Sequence, residues 1–215
     1  MFIPKSFAEH NQDEIFALID EYPLASISYI ADGKPCVCHV PVLHCYENGK
    51  HKLITHVARA NQVWQHTKTP WLIVFMGASH YISANWYPSK QQSHKEVPTY
   101  NYQTVHITAQ ARVLDELEAT KAILAQTTDF FEQKISKQLP SHTAWQLSDA
   151  PEPFIDKMCA ALIAIELEII EIQAQFKLSQ NKPATDQAGV VAGLTQIATP
   201  EAVKMAQLVA KFAKS

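Results

Sequence analysis

Two dipeptides, Asp32-Gly33 and Asn48-Gly49, constrain this chain more than any other feature. They separate three strand-like runs, "LASISYI", "PCVCHVPVLHCY" and "HKLITHVA". Asp-Gly and Asn-Gly favour two-residue turns in which both residues take positive φ, and such turns join adjacent antiparallel strands. The first sixty residues therefore predict an antiparallel meander. A helix precedes it over Asp13 to Glu21, where apolar residues recur at helical spacing before the stop at Pro23.

The rest of the chain extends this plan. "ANQVWQHTKT" predicts one or two helical turns ending before Pro70. "WLIVFMGA" is a nearly continuous apolar run, as a strand buried on both faces requires, and "HYISANWY" predicts a further strand. The polar stretch "PSKQQSHKEVPTYN", with two prolines, predicts a long exposed loop. "YQTVHITAQARVL" alternates as a long strand, and "DELEATKAILAQTTDFFEQKIS" is an amphipathic helix. Lys137 to Pro153 predicts irregular chain, and "EPFIDKMCAALI" a short helix. "AIELEIIEIQAQFKL" reads as a strand from its β-branched residues, with a helix as the competing reading from its Glu and Leu content. The segment from Asp186 to Lys214 predicts helix, with Pro200 opening the last one after Thr199. Six or seven strands with a helix between the third and fourth suggest a closed or half-closed antiparallel barrel with helices at its ends.

Composition excludes several classes. The net charge of -3 supplies no bulk basic surface for nucleic acid or anionic membrane. No window reaches the apolar length of a membrane span, and Glu166, Glu168 and Glu171 interrupt the longest candidate. The N-terminus lacks a secretory pattern. The four cysteines, Cys36, Cys38, Cys45 and Cys159, form no C-x-x-C pair and are expected as reduced thiols in a cytoplasmic, soluble protein. The ten histidines lack zinc-ligand spacing, so no metal site is expected. No G-x-S-x-G, P-loop or G-x-G-x-x-G occurs, and no carboxylates are evidently paired for acid–base work.

Four stretches hold candidate ligand contacts. In "THVARANQVW" a strand turns into a helix start, and Arg59, Thr55 and Asn61 surround the joint. A guanidinium beside unpaired helix N–H groups suits phosphate; a surface ion pair for Arg59 and a capping role for Asn61 are the competing reading. "HYISANWYPSK" carries aromatic residues that suit a flat ligand, a sheet face or a dimer interface. In "VPTYNYQTVHI", Asn101 and Gln103 point to one side and Tyr100 and Tyr102 to the other; the amides suit a heteroaromatic edge or a polar loop entry. "FKLSQNK" is a polar, partly basic strand end that suits a phosphate, a partner chain or a simple exit loop.

In their order, "MFIPKSF", "HVPVL", "THVARANQVW", "GASHYISANWYPSK", "VPTYNYQTVH" and "FKLSQNK...AGVVAGL" resemble the PaiB-type family of FMN-binding negative transcriptional regulators, from the first residues to about Leu194. The resemblance implies an FMN-binding split barrel, similar in fold to pyridoxamine 5′-phosphate oxidases and flavin reductases. That is a mainly β, antiparallel split β-barrel with peripheral helices: one domain over residues 1–215, with a helical C-terminal extension from about 186 to 215. It implies a homodimer with FMN at the subunit interface. It places Arg59 and Asn61, with Thr55 and His56, at the FMN phosphate. It lays His39, Val40 and Pro41 along the isoalloxazine ring and brings Asn101, Tyr102 and Gln103 to the flavin. Trp86 and Lys90 border the pocket, and no catalytic residue is implied. The family pattern has Pro where this chain has Gln62, and a Glu-Gly-Lys-like turn where it has Gln173-Ala174-Gln175. The implied role is negative transcriptional regulation. A flavin-dependent oxidoreductase (flavin reductase or pyridoxamine-oxidase-like) and a haem-handling split barrel are the alternatives. Direct DNA binding lacks a helix-turn-helix, and the last helix offers only Lys204, Lys211 and Lys214.

Overall fold

The structure is a computed structural model that describes residues 1–213. Lys214, expected at the end of the last helix, lies outside the described residues. The first half of the chain comprises β1 (Ala8–Glu9), α1 (Gln12–Glu21), β2 (Leu24–Ala31), β3 (Lys34–Pro41), β4 (Leu43–Glu47), β5 (Lys50–Ala58) and β6 (Trp71–Ile82). The second half comprises α2 (Pro88–Ser93), β7 (Thr99–Leu114), α3 (Leu117–Gln138), α4 (Glu152–Ala160), β8 (Leu162–Lys177), α5 (Ala184–Ile197) and α6 (Pro200–Lys211).

Both Gly-containing turns take the conformation their residues favour. Asp32 and Gly33 have φ of 50° and 74°, and Asn48 and Gly49 have φ of 52° and 77°. Positive φ at both central residues matches the turn to strand twist. The turns close two hairpins, with Ala31 opposite Lys34 and Glu47 opposite Lys50. The run "PCVCHVPVLHCY" divides at Val42, whose N–H leaves the sheet to donate to Pro23 O at 2.8 Å. β8 is a strand rather than a helix: its first half pairs antiparallel with β5, Thr55 opposite Ile165.

Three expectations are corrected. The helix expected near Ala60 is a 3-10 turn of four residues, Gln62–Gln65. "WLIVFMGA" and "HYI" are one strand, because Gly77 does not break it: a Cβ there would meet Leu18 at 2.9 Å and Gln103 at 3.1 Å, so its small size admits neighbours. The expected loop "PSKQQS" is a short helix, since Pro88 at its first position has the φ a helix start needs.

Strand order in the sheet is β3-β2-β6-β7-β8-β5-β4, with β1 added beside β8. Among the described residues no pairing joins β3 to β4, so the sheet is not closed into a barrel. The result is a mixed α/β domain: helices precede, connect and follow the strands.

The chain divides into two compact units. One comprises residues 23–74 and 107–172. Its centre packs Leu43, Ile54, Ile123 and Ala164, with Leu114, Phe130 and Phe131 against them, so α3 covers β4, β5 and β8. Lys121 ties α3 to α4 through Asp156 at 2.6 Å. The other unit comprises residues 1–22, 75–106 and 173–213 among those described. There α1 buries Ile15, Phe16, Leu18 and Ile19, and α5 and α6 bury Val190, Leu194, Met205 and Val209. Asn11 caps α1 by accepting from Asp13 N, and Thr199 caps α6 by accepting from Ala202 N. Each cap satisfies a helix-start N–H that has no intrahelical partner.

Candidate functional site

In the first unit, the candidate residues of "THVARANQVW" meet those of "HVP". Thr55 on β5 is buried, and its hydroxyl donates to Pro41 O on β3 at 2.6 Å. His39, two residues earlier on β3, shares a hydrogen bond of 3.0 Å with the Ser26 hydroxyl through its Nδ1. Val40 faces the core and lies opposite Ala25. His56 is opposite Ala164, and its Nδ1 is buried with no hydrogen-bond partner. Burial pushes the His56 imidazole below its ordinary range and favours the neutral ring.

Arg59 follows where β5 ends. Its backbone N–H donates to Ala161 O at 2.8 Å, its Nε to Ala160 O at 3.0 Å and its Nη2 to Leu162 O at 3.3 Å. Nη2 also pairs with Asp115 at 2.7 Å. The Arg59 bond holds the exposed Asp115 carboxyl below the usual range. The Arg59 turn thus latches onto the α4–β8 junction, and Trp64 Nε1 secures it by donating to Arg59 O at 3.1 Å. Asn61 caps the 3-10 turn through Oδ1, which accepts from Val63 N at 3.2 Å. Both halves of the competing reading are therefore present: Arg59 is ion-paired and Asn61 is a cap. Four residues of 3-10 turn make a far weaker dipole than the expected helix.

The remaining candidates lie in the other unit and do not form one cluster there. Trp86 lies against α5: a Cβ on Gly193 would come within 2.4 Å of its ring, and one on Gly189 within 2.0 Å of its carbonyl oxygen. This explains "AGVVAGL" as a seat for Trp86. Lys90 donates to Asn85 Oδ1. Asn101 is fully buried and its Nδ2 donates to Ser179 Oγ at 3.0 Å. Gln103 is buried and lines a different cavity, of about 220 Å³, between α1 and α6. Tyr102, on the opposite face of β7, is half-buried.

Sequence reading missed the pairing of Glu166. Its Oε1 accepts from Arg112 at 2.7 Å and its Oε2 from Lys52 at 2.9 Å, and Lys52 also reaches Glu47 at 2.7 Å. Burial raises the Glu166 pKa, but the two cationic partners outweigh it and hold the carboxyl below its ordinary range. These groups border a cavity of about 540 Å³ that His51 also lines. His51 Nδ1 lies 2.7 Å from His44 Nε2. Burial, then the neighbouring His51 charge, pushes His44 down to about 4. Partners 54 and 114 residues away left no local signal.

Among the described residues, no cluster of three or more His, Cys, Asp or Glu side chains is arranged for a metal ion, and no helix is long and apolar enough to cross a membrane.

Comparison with known proteins places this architecture. The family model described as "Putative FMN-binding domain" matches residues 1–171. Protease synthase and sporulation protein PAI 2 of Bacillus subtilis is 29% identical over 211 residues, 97% of this chain and 96% of that protein. Among solved structures, a flavocytochrome from Azotobacter vinelandii superposes with a TM-score of 0.56 at 15% identity, covering 79% of this chain and 69% of that one. The FAD and heme binding protein of Mycobacterium smegmatis gives a TM-score of 0.56 at 16% identity, covering 86% of this chain and 80% of that one. The chain belongs to the FMN-binding domain family, that of the PaiB-type proteins, and its mixed α/β fold is shared with these two solved structures.

Proposed function

We propose that this chain binds a flavin, FMN in particular, and acts as a flavin-dependent oxidoreductase with a split-barrel arrangement of its strands. The family match over residues 1–171 carries the flavin reading. The fold shared with a flavocytochrome and with a FAD- and haem-binding protein supports the redox reading over a purely regulatory one.

The residues of the 23–74 and 107–172 unit fit the group. Arg59 presents a half-exposed guanidinium whose Nη1 takes no part in the bonds to Asp115 and the carbonyls. A phosphate replaces Asp115 as its partner, and Asn61 keeps its amide NH₂ for the same anion because the cap uses only Oδ1. His39, Val40 and Pro41 offer an edge-strand backbone to a planar ring, and the Thr55 bond to Pro41 O fixes that strand end. His56 Nδ1 is a buried polar atom with its hydrogen-bonding capacity unspent. A bound flavin supplies hydride-transfer chemistry, and these side chains bind and orient it. Lys90, Tyr102, Trp86, Asn101 and Gln103 belong to the other unit, where Trp86, Asn101 and Gln103 have packing or buried hydrogen-bonding roles of their own.

We also infer a homodimer. Register places Val37, Ser28 and Leu72 in one row across β3, β2 and β6, with Leu24 and Ile30 on the same face. Leu24, Ile30, Val37 and Leu72 are all exposed. An apolar sheet face of this kind suits a second copy. The four thiols, none in a disulfide, fit a cytoplasmic location, and we take residues 1–215 as one domain whose helical C-terminal part follows the family match over residues 1–171.

Negative regulation of transcription is the second reading, favoured by the near full-length match to a protein named for protease synthase and sporulation. Direct DNA contact through α6 has little support: Lys204 and Lys211 pair with Glu21 and Glu14, each at 2.6 Å. The absorbance spectrum of freshly purified protein, followed by anaerobic addition of NADH or NADPH, tests the proposal. A bound flavin bleached by either donor is expected. Protein that is colourless and takes up no FMN or FAD on titration overturns it.

A further inference from the structure

The motif "FKLSQNK", which the flavin reading leaves unused, closes a cavity of about 310 Å³ within the unit of residues 1–22, 75–106 and 173–213. Three observations set it apart. First, Lys177 at the end of β8 donates to Thr99 Oγ1 at 2.5 Å, and among the described residues no carboxylate pairs with it. Lys182, also at the cavity, is neutralised by Glu96 and lies over the Tyr87 ring, 4.8 Å from its centroid. Second, Tyr87 is 1% exposed and its hydroxyl reaches no partner at hydrogen-bonding geometry. Its polar neighbour Ser179 donates to Asn101 Oδ1 at 3.4 Å and accepts from Nδ2 at 3.0 Å, and lies beside the Tyr87 hydroxyl without a well-formed bond to it. A buried hydroxyl without a protein partner is costly and calls for one from a water or a ligand. Third, Phe7, Val97 and Pro98 form an apolar wall to the same cavity.

Nearby carboxylates do not satisfy these donors. Asp186 is fully buried and accepts from Ser89 N at 3.0 Å and Ser89 Oγ at 2.7 Å, and it sits in the first turn of α5, where the helix dipole favours its charge. Glu96 is held by Lys182. Among the described residues, Lys177 is thus a cation with no carboxylate partner and Tyr87 a neutral donor, both lining one cavity.

We propose that this cavity binds the oxyanion of a small organic molecule, a carboxylate or a phosphate, with Lys177 as its counter-charge, the Tyr87 hydroxyl as a second donor and Phe7 and Val97 against its apolar body. The proposal does not rest on flavin binding. Asn101 touches both readings, but anion binding and flavin binding have separate readouts.

The test is thermal melting of the full chain, flavin-free, titrated with benzoate, inorganic phosphate and, as an ionic-strength control, chloride. A saturable rise in Tm with benzoate or phosphate, absent with chloride, is expected; which of the two gives it identifies the anion's source. Lys177→Met abolishes the rise, and Tyr87→Phe weakens the affinity on the order of tenfold, the effect of a hydrogen bond to a charged group. Lys137→Met, in the last turn of α3 and absent from the cavity lining, leaves it unchanged. No saturable rise with either anion, or the same rise in Lys177→Met as in wild type, overturns the proposal. An FMN titration of the same variants, read by flavin absorbance, keeps the failure of one reading distinct from failure of the other.

Discussion

Replacing Gly193 by alanine sets two known effects against each other. Alanine in the middle of α5 is favoured over glycine by about 0.5–1 kcal/mol from backbone entropy. Against this, the new Cβ lies 2.4 Å from Trp86 Cδ2 and 2.6 Å from Cε2 and Cγ. Ordinary carbon contacts lie at about 3.5–4.0 Å, so the ring must retreat by roughly 1 Å or more. It has little freedom to do so. The Trp86 carbonyl is pressed on Gly189, where a Cβ would come within 2.0 Å, and its N–H is held by Ser83 O at 3.2 Å. Overpacking of this kind costs about 1–3 kcal/mol. The clash wins: the expected loss is about 1–2 kcal/mol, or a fall in Tm of roughly 2–8 °C for a chain of this size. Thermal melting followed by tryptophan fluorescence and circular dichroism measures it. Trp86→Leu removes the ring, so Gly193→Ala in that background costs less than in wild type, a coupling that a double-mutant cycle reads directly. Gly193→Ala raising Tm, as helix propensity alone predicts, would falsify the packing account of the "AGVVAGL" motif.

Other predictions concern charge. Asp115→Asn releases Arg59, so FMN affinity rises several-fold in a titration if Arg59 grips the phosphate; no change removes Asp115 as a competitor. Glu166 has a depressed folded pKa, so its ion pairs stabilise the fold above its ordinary value of 4.5 and are lost as pH falls below that value. Wild type and Glu166→Gln, compared by urea unfolding, therefore converge as pH drops below about 4.5. His44 stays neutral in the fold down to about 4 against 6.5 when unfolded, so the unfolded chain takes up protons first and stability falls between those pH values. His44→Phe flattens that part of the profile, and an unchanged slope contradicts the assignment.

Local chemistry made much of the fold legible. The Asp-Gly and Asn-Gly turns, the alternation of β7 and the Thr199-Pro200 start of α6 each follow from short-range rules, and each is observed. What the sequence hid was decided at long range. "WLIVFMGA" and "HYISANWY" read as two strands, but β6 runs through Gly77, with Leu18 and Gln103 packed where its side chain would be. Pro88 reads as loop punctuation, yet it opens a helix. Arg59 reads as either a phosphate ligand or an ion-paired surface residue, and its partner Asp115, 56 residues away, could not be named from spacing. The strand partners of Glu166 lie 54 and 114 residues away, so its charge network was invisible from spacing. Of the candidate site, the meeting of Thr55 with Pro41 joins β5 to β3, which are not neighbours in the sheet. The buried commitments of Trp86, Asn101 and Gln103 required the packing of α5, Ser179 and α1.

The most direct test of the central claim compares FMN with riboflavin, which differ only in the phosphate. Binding of each to wild type and to Arg59→Ala is measured by flavin fluorescence. Wild type is expected to prefer FMN by at least about tenfold, the contribution of a charge-assisted hydrogen bond, and Arg59→Ala to lose that preference while still binding riboflavin as wild type does. Equal preference for FMN in both proteins, or no binding of either flavin to wild type, contradicts the account.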